Sequence, residues 1–311
     1  MKKYCFGIDV GGTTVKCGFF DVEGNLLDKW EIKTHTENNG AQILPDVAKT
    51  VLNKIAEKGI KKEEVAGIGI GVPGPVKSDG TIEMAVNLHW GFKNITKEVE
   101  ELTGLKAKAG NDANVAALGE MWKGGGVGSN SLVMVTLGTG VGGGIIMNGK
   151  IVAGAHGAAG EIGHMFSAEE VSVPCNCGCT GCLEQVASAT GIAALAREEL
   201  KVNKTPTVLN TNYVSAKSVF DAYKEQDEVA SVIVHRFAEY LGTALARIGC
   251  VIDPDVFVIG GGVSKAGQVL IDVVEKYYKE KVFSAIKDTP IVLAKLGNDA
   301  GIYGSARLVL D

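Results

Sequence analysis

The chain has 311 residues, of which 46% are hydrophobic and 22% are charged, and its formal net charge at neutral pH is −5. This composition indicates a folded globular protein long enough for two domains and excludes bulk disorder. No apolar run approaches the roughly 18 residues needed to cross a bilayer, and the first apolar stretch ends at Asp9, which argues against a secretory signal. Mild acidity without a basic block argues against nucleic-acid and membrane partners.

Short apolar runs separated by glycine, asparagine and proline predict the elements of the first half. In chain order these are strands at 4–10, 15–20 and 26–32, a helix from about Pro45 to 58, a strand at 65–72, a helix at 95–103, a strand at 105–109 and a helix running to about Trp122. Pro45 fits only the first turn of its helix. Asn111 or Asp112 is the expected cap of the helix that ends near Trp122.

The second half repeats this order of elements. It predicts strands at 131–137, 142–147, 150–153, 256–259 and 291–294, a long amphipathic helix at 229–252 and a final helix at 299–311. Two halves that each open with strands around a Gly/Thr turn predict an α/β fold with two domains flanking a cleft. We place the boundary near Asp112, giving domains 1–112 and 113–311. The sequence leaves open whether the last helix packs back on the N-terminal domain.

Glycine is unusually frequent, with 42 residues, close to twice the usual ~7%. One cluster lies between two predicted strands, where backbone N–H groups and threonine hydroxyls can face a phosphate. Its candidate ligands are Asp9, Gly11, Gly12, Thr13, Thr14 and Lys16. Asp9 could hold a hydrated Mg²⁺ on the phosphates. A second cradle of the same kind is offered by Gly138, Thr139 and Gly140. Each turn alone could be an ordinary hairpin, so it is their duplication that favours phosphate binding.

Two glycine patterns, beginning at Gly69 and Gly138, match the dinucleotide-binding spacing G-x-G-x-x-G. That motif requires a helix directly after the glycines. Prolines follow the first pattern and a hairpin follows the second, so we reject dinucleotide binding. The chain also has no G-x-x-x-x-G-K-[ST] motif, which excludes a P-loop enzyme.

Four of the seven cysteines lie within eight residues, at Cys175, Cys177, Cys179 and Cys182. An odd number of cysteines without a secretion signal indicates a reducing, cytoplasmic compartment, where such a cluster is more typical of metal binding than of disulfides. Zn²⁺ prefers four ligands in a tetrahedron. The spacing alone leaves two sets open, namely the four cysteines, or three of them with His164. Four protein ligands would make the zinc structural.

The sequence resembles the ROK family of sugar kinases and repressors, within the actin-like ATPase superfamily, and is most like its bacterial glucokinases. Asp9-Val10-Gly11-Gly12-Thr13 is similar to the first phosphate motif of that superfamily. The further motifs are GVPGP at 71–75, NLHW at 87–90, GNDAN at 110–114, LGTGVGGG at 137–144, EIGH at 161–164, CNCGCTGCLE at 175–184, GGGVS at 260–264 and NDAGIYGSA at 298–306. Together they cover nearly the whole chain. The resemblance implies two actin-like, ribonuclease H-like α/β domains.

The resemblance also assigns roles to single residues. It makes Asp112 the general base, a role for which local sequence alone gives less support than for a simple helix cap. It implies a sugar site of Gly74, Asn87, Asn111, Asp112, Glu161, His164 and Glu184, and an adenosine-side loop with Gly261 and Gly262. For the zinc it favours His164, Cys175, Cys177 and Cys182, which leaves Cys179 free.

The function that the resemblance implies is ATP- and Mg²⁺-dependent phosphorylation of glucose at its 6-hydroxyl, in a homo-oligomer that we expect to be a dimer. Fructokinase and N-acetylmannosamine or N-acetylglucosamine kinase are close alternatives. A sugar-responsive repressor is a third possibility. The family's repressors carry an N-terminal helix-turn-helix, whereas the first strand of this chain is predicted to begin at residue 4, so we expect an enzyme. The predicted zinc and sugar residues argue against an actin- or chaperone-like ATPase.

Overall fold

Three antiparallel strands open the chain, because short apolar runs are joined by two tight turns. They are β1 (Tyr4–Val10), β2 (Thr14–Asp21) and β3 (Leu26–Lys33). In β1 and β2 most side chains are buried, whereas β3 alternates between half-buried and exposed positions, as expected for a strand at a sheet edge with one face on the core. The register of the first pair sets Asp9 opposite Lys16.

The computed structural model describes residues 1–310. The predicted elements occur in their predicted order, and the structure adds two short strands and several helices that were not predicted. The remaining strands are β4 (Val65–Val72), β5 (Thr81–Ile82), β6 (Lys93–Asn94), β7 (Ala107–Asn111), β8 (Leu132–Leu137), β9 (Val141–Met147), β10 (Lys150–Ile151), β11 (Val256–Gly260) and β12 (Ile291–Leu293). The helices are α1 (Glu37–Gly40), α2 (Ile43–Glu57), α3 (Ile95–Thr103), α4 (Asp112–Lys123), α5 (Glu184–Ala187), α6 (Ala189–Val202), α7 (Ala216–Lys224), α8 (Glu228–Ile252), α9 (Gln268–Lys281) and α10 (Ala300–Leu308). Short 3₁₀ turns lie between several of them.

The first sheet has the strand order β3-β2-β1-β4-β7. Strands β1, β4 and β7 run parallel, so their carboxyl ends meet at one edge of the sheet. In their register Asp9 pairs with Gly71, and Gly71 pairs with Gly110. Asp9 and Gly110 are therefore separated by two strand spacings, a distance of about 10 Å.

Helix α10 packs directly on this sheet because two strand positions carry no side chain. A Cβ on Gly7 would lie 1.9 Å from the carbonyl oxygen of Ile302, and one on Gly69 would lie 1.7 Å from that of Ser305. Such distances are far inside van der Waals contact, so only glycine permits this approach. The hydroxyl of Ser305 also donates to the carbonyl of Ile8 at 2.9 Å.

The second sheet has the strand order β10-β9-β8-β11-β12. Strands β8, β11 and β12 are parallel, and Gly260 at the end of β11 pairs with Thr136 of β8. Helix α8 is buried along the stripe that the three- and four-residue spacing predicts, from Val229 to Ile248. Its helical neighbours in the packing are α5, α6, α7 and α9.

The chain forms two compact units. Unit 1 consists of residues 1–130, residues 144–160 and the segment from Lys295 onward, and unit 2 consists of residues 131–143 and 161–294. The predicted domain limits, 1–112 and 113–311, stay a prediction; in this division residue 112 lies inside unit 1, and so does α10. Each unit contains strands and helices, as the predicted α/β class requires. Within residues 1–310, no helix is both long enough and apolar enough to span a membrane.

Candidate active site

The carboxyl edge of the first sheet collects the predicted residues of unit 1. Asp9 is the second-last residue of β1, Gly74 is the second residue after β4, and Asp112 follows β7 directly. Since these strands are parallel, their ends place the three positions along one edge. Open α/β sheets bind their ligands at this edge.

Asn111 caps helix α4, and this determines the position of Asp112. The Asn111 side-chain oxygen accepts from the backbone N–H of Asn114 at 3.1 Å, so Asp112 is the first helical residue rather than the cap. Asp112 Oδ1 accepts from the Asn111 Nδ2 group at 2.9 Å and from the Ala113 N–H at 2.8 Å. The same Asn111 amide donates to the carbonyl of Gly74 at 3.2 Å. The exposed Asp112 carboxylate is therefore oriented by the cap residue beside it.

Asp9 is a mostly buried carboxyl, with 23% of its side chain exposed. Burial raises its pKa, the nearby Lys16 ammonium lowers it, and the negative charge of Asp112 raises it again. Lys16 Nζ lies 4.0 Å from Asp9 Oδ2. A Cβ on Gly301 would lie 2.6 Å from Asp9 Cγ, so the start of α10 leaves space for this carboxyl group.

The first glycine turn is a tight hairpin between β1 and β2. Gly11 donates its N–H to the carbonyl of Thr14 at 3.0 Å, and Thr34 supports the turn by donating its hydroxyl to the carbonyl of Gly11 at 2.7 Å. A Cβ on Gly12 would lie 3.4 Å from the carbonyl oxygen of Asn87. The structure therefore brings Asn87 next to the predicted phosphate turn.

The second glycine turn, in unit 2, is held by the start of α6 and by Glu184. The carbonyl of Gly138 accepts from the N–H of Ala189 at 2.8 Å, and the carbonyl of Thr139 accepts from the Thr190 hydroxyl at 2.7 Å. A Cβ on Gly140 would lie 2.5 Å from Glu184 Oε2. Only a residue without a side chain lets this carboxylate approach the turn so closely.

The predicted adenosine-side loop opens onto a cavity of about 530 Å³ in unit 2. Gly261 has a φ of +83°, and a Cβ there would meet the end of β8. Gly262 and Thr139 both line the cavity, so it reaches from the loop to the second glycine turn. The other lining residues are Ala189, Thr190, Ala193, Arg197, Val214, Ser215, Ala216, Lys217, Phe220, Asp221, Lys224, Val263, Lys265 and Ala266.

Most of that cavity wall was missed by sequence reasoning. Helices α6 and α7 supply it, and neither helix carries a glycine motif. A usable signal was the polar face of α7, where Lys217, Asp221 and Lys224 recur at intervals of four and three residues. By itself that pattern is typical of a solvated helix.

Four predicted metal ligands lie together in unit 2. The donor atoms of His164, Cys175, Cys177 and Cys182 all lie within 4.8 Å of one another. Cys175 Sγ is 3.8 Å from His164 Nδ1, and Cys177 Sγ is 3.6 Å from Cys182 Sγ. The backbone N–H of Cys179 first, and hydrogen bonds with the neighbouring thiols in addition, lower the pKa of Cys177 to about 7. This donor set fits the tetrahedral preference of Zn²⁺.

Cys179 occupies a different place in the knuckle, outside the group of four. Its carbonyl accepts from the N–H of Cys175 at 2.7 Å, and the turn between them is closed by Gly178 at a φ of +89°. Of the two sets that the spacing left open, the geometry favours the one with His164.

The Cys/His group is joined to the second glycine turn through Glu184. Cys175 Sγ donates to Glu184 Oε1 at 3.0 Å, while the other oxygen of the same carboxylate faces Gly140. Glu161 precedes a 3₁₀ turn that ends at His164, and the His164 N–H donates to the Glu161 carbonyl at 3.1 Å. Unit 2 thus holds the predicted sugar residues Glu161, His164 and Glu184 in one neighbourhood.

Proteins similar to this chain match it over nearly its whole length. The ROK family model matches residues 5–311. Glucokinase of Halalkalibacterium halodurans is 43% identical over 99% of this chain and 95% of its own length, and glucokinase of Thermotoga maritima is 34% identical over 100% and 98%. A ROK glucokinase from Streptomyces griseus, solved in complex with glucose and AMPPNP, is 30% identical and superposes with a TM-score of 0.73 over 98% of both chains.

The chain belongs to the ROK family. The resemblance stated from the motifs is therefore confirmed. The predicted fold class is confirmed as well, because the ROK neighbours share the two-domain, actin-like α/β architecture.

Proposed function

We propose that this ROK glucokinase transfers the γ-phosphoryl group of ATP to the 6-hydroxyl of glucose, with Asp112 as the general base. The observation that carries the proposal is the place of Asp112, exposed at the carboxyl edge of the first sheet and oriented by Asn111. A carboxylate within hydrogen-bond reach of a hydroxyl can accept its proton during phosphoryl transfer. Negative charge is also favoured at the first residue of a helix.

In the proposed step the 6-oxygen of glucose attacks the γ-phosphorus. Its proton passes to Asp112 as the new O–P bond forms. The bond from the γ-phosphorus to the bridging oxygen breaks, and ADP leaves with that electron pair. Asp112 returns the proton to solvent after glucose 6-phosphate is released.

For the phosphates we propose the two glycine turns, one in each unit. Backbone N–H groups at glycine turns and hydroxyls such as that of Thr13 bind phosphate oxygens. Asp9 would hold a hydrated Mg²⁺, since a carboxylate at this sheet edge is the oxygen ligand that this ion prefers. When bound, Mg²⁺ neutralises phosphate charge. Lys16 adds a second positive charge next to Asp9.

For the nucleoside we propose the cavity of unit 2. Its volume of about 530 Å³ lies in the range of small-molecule sites. Phe220 and Val263 supply apolar surface for a base, while Arg197 and Lys265 supply positive charge. Gly262 leaves one side of the wall open, because a Cβ there would meet no atom of the described residues within 4 Å.

For the sugar we propose that unit 1 contributes Gly74, Asn87, Asn111 and Asp112, and that unit 2 contributes Glu161, His164 and Glu184. Amide, carboxylate and imidazole groups supply the donors and acceptors that pyranose hydroxyls need. His164 Nδ1 is the nitrogen nearest Cys175, which leaves Nε2 for a sugar hydroxyl.

We further propose that His164, Cys175, Cys177 and Cys182 hold a structural Zn²⁺. Four protein ligands leave no open position for water, so the ion would supply rigidity rather than a nucleophile. Through His164, and through Cys182 two residues before Glu184, it would fix the sugar residues of unit 2. A homodimer and a cytoplasmic location stay predictions.

The test is a coupled assay of ATP consumption with Mg²⁺ across D-glucose, D-mannose, D-fructose, N-acetylglucosamine and N-acetylmannosamine, with a sugar-free control. We expect turnover to be highest with glucose and close to zero without sugar. Preference for an N-acetylated hexose would replace the substrate assignment. Sugar-independent ATP hydrolysis at the same rate would overturn the kinase proposal itself.

A further inference from the structure

A second cavity of about 530 Å³ lies wholly within unit 1, and the proposed reaction leaves it without a ligand. Among the proposed sugar residues only Asn111 lines it; Gly74, Asn87 and Asp112 do not. Its apolar lining includes Val76, Leu118, Ile151 and Leu308. A cavity of this size can enclose a small organic molecule.

The wall of this cavity runs along the edge of the first sheet. Four consecutive residues of β7, from Lys108 to Asn111, line it. Successive side chains of a strand point to opposite faces, so a cavity that contacts all four must follow the strand edge. Within residues 1–310, β7 pairs with β4 and with no strand on its other side. The backbone of an edge strand offers hydrogen-bonding groups to a ligand.

A buried polar atom in the same wall also points to a ligand. Asn114 is 3% exposed and lines the cavity, and its Oδ1 has no hydrogen-bond partner among the described residues. Leaving such an acceptor unpaired is costly, so native proteins generally satisfy it. A hydroxyl group of a ligand could donate a hydrogen bond to Asn114 Oδ1 and so satisfy this acceptor.

The charge of the lining favours an anion. The charged residues of the lining are three lysines, Lys77, Lys108 and Lys150, and one carboxylate, that of Asp79. Asp79 is already turned toward its own loop, where it accepts from the N–H and the hydroxyl of Thr81. Lys150 is exposed and forms no ion pair within residues 1–310. Lys77 pairs with Glu83 only at the exposed surface, where such pairs are weak and exchangeable.

We propose that this cavity is a second ligand site, which takes a small hydroxylated phosphomonoester. The phosphate would lie toward Lys77 and Lys150, and a hydroxyl would donate to Asn114. Hexose 6-phosphate, the product of the proposed reaction, belongs to this chemical class. Only the choice of probe rests on the proposed function.

The experiment is calorimetric titration of the full chain with glucose 6-phosphate while saturating glucose, AMPPNP and Mg²⁺ occupy the proposed active site. We expect saturable binding of one molecule per chain with a Kd of about 1 mM or tighter. Lys150→Gln should weaken it by about fivefold or more, since it removes a charge-assisted contact. Lys106→Gln, an exposed lysine of the same unit outside the cavity, is the matched control and should leave the Kd unchanged.

Two results would overturn the proposal: no saturable binding with the active site filled, or binding that Lys150→Gln and Lys106→Gln affect equally. Neither result bears on the kinase assignment, because the readout is binding rather than turnover. Lys150 has no part in the proposed catalytic machinery, so turnover of Lys150→Gln should equal that of the wild type.

Discussion

At the scale of single residues, the cap of α4 decides what Asp112 can do. If Asp112 capped the helix, its carboxylate would be committed to the backbone N–H of the third helical residue. Asn111 takes that role instead, and its amide also orients Asp112 and holds the carbonyl of Gly74. One asparagine therefore fixes three groups at the proposed catalytic edge.

The first prediction concerns the proposed base. Asp112→Asn keeps the shape of the side chain but removes its capacity to accept a proton, so kcat should fall by ~10²–10⁴. Glucose binding, measured by calorimetry, should change little. As a control, Asp272→Asn changes an exposed carboxylate on α9, in unit 2, and should leave kcat unchanged. Near-normal turnover of Asp112→Asn would remove this residue from the role.

The second prediction concerns the effect of Asp9 ionisation on the stability of the folded chain. Burial first, and the charge of Asp112 in addition, raise the pKa of Asp9 above its ordinary value, against the opposing effect of Lys16. The folded state thus holds this proton more tightly than the unfolded chain. Ionisation of Asp9 therefore lowers the free energy of unfolding. This loss of stability is absent well below pH 3.8, where Asp9 is protonated in both states, and is complete above the raised pKa of the folded state.

We accordingly expect Asp9→Asn to have a Tm at pH 7, without Mg²⁺, equal to or above that of the wild type, while its turnover falls by at least ~10². Asp28 is the comparison, because its hydrogen bonds with Lys54 and Lys58 lower its pKa. Asp28→Asn should not raise Tm. A clear decrease in the Tm of Asp9→Asn would show that the ionised carboxylate stabilises the fold and would contradict this prediction.

At the scale of elements, the knuckle from Cys175 to Cys182 links the proposed metal ligands to the second glycine turn. Glu184 is the first residue of α5, directly after the knuckle, and its carboxylate contacts Cys175 with one oxygen and lies beside Gly140 with the other. Disturbing the knuckle should therefore affect both stability and the sugar residues of unit 2.

The third prediction follows from this linkage. Removing the metal with a strong chelator, or changing Cys177→Ser, should lower Tm and raise the KM for glucose together, because the proposed ion fixes His164 and Glu184. Cys179→Ser is the matched control, since Cys179 lies outside the four-ligand group. A metal-free protein with an unchanged KM would refute the linkage, and equal effects at Cys179 would refute the ligand set.

At the scale of the whole molecule, each unit supplies part of the proposed machinery. Unit 1 carries Asp9, Asn87 and Asp112, and unit 2 carries Glu184 and the cavity proposed for the nucleoside. A substrate that contacts only the folded chain must stabilise it by mass action. Stability is therefore a readout of sugar binding that does not depend on turnover.

The fourth prediction uses this effect. D-Glucose at 100 times its Kd should stabilise the chain by about 2.7 kcal/mol, which corresponds to a Tm increase of roughly 5 °C for a protein of this size. L-Glucose, of identical composition but opposite handedness, should produce no increase. Equal shifts with both sugars would indicate a solvent effect and contradict a specific site.

Much of this protein was determined by local sequence. The three opening strands, the two glycine turns and the buried stripe of α8 follow from apolar spacing and from turn residues, which act over a few positions. The short spacing of the cysteines likewise limited the candidate metal ligands to the four cysteines and His164.

Other features were decided only by tertiary structure, because they depend on residues distant in the chain. The spacing could not choose between His164 and Cys179, whereas three-dimensional packing sets His164 beside Cys175. Sequence spacing also could not show that the backbone of α10 packs against Gly7 and Gly69. Nor could it show that Asn114 lines a cavity and that its Oδ1 lacks a hydrogen-bond partner among the described residues. Local patterns specify which elements form; the meeting of distant elements determines which polar groups share a site.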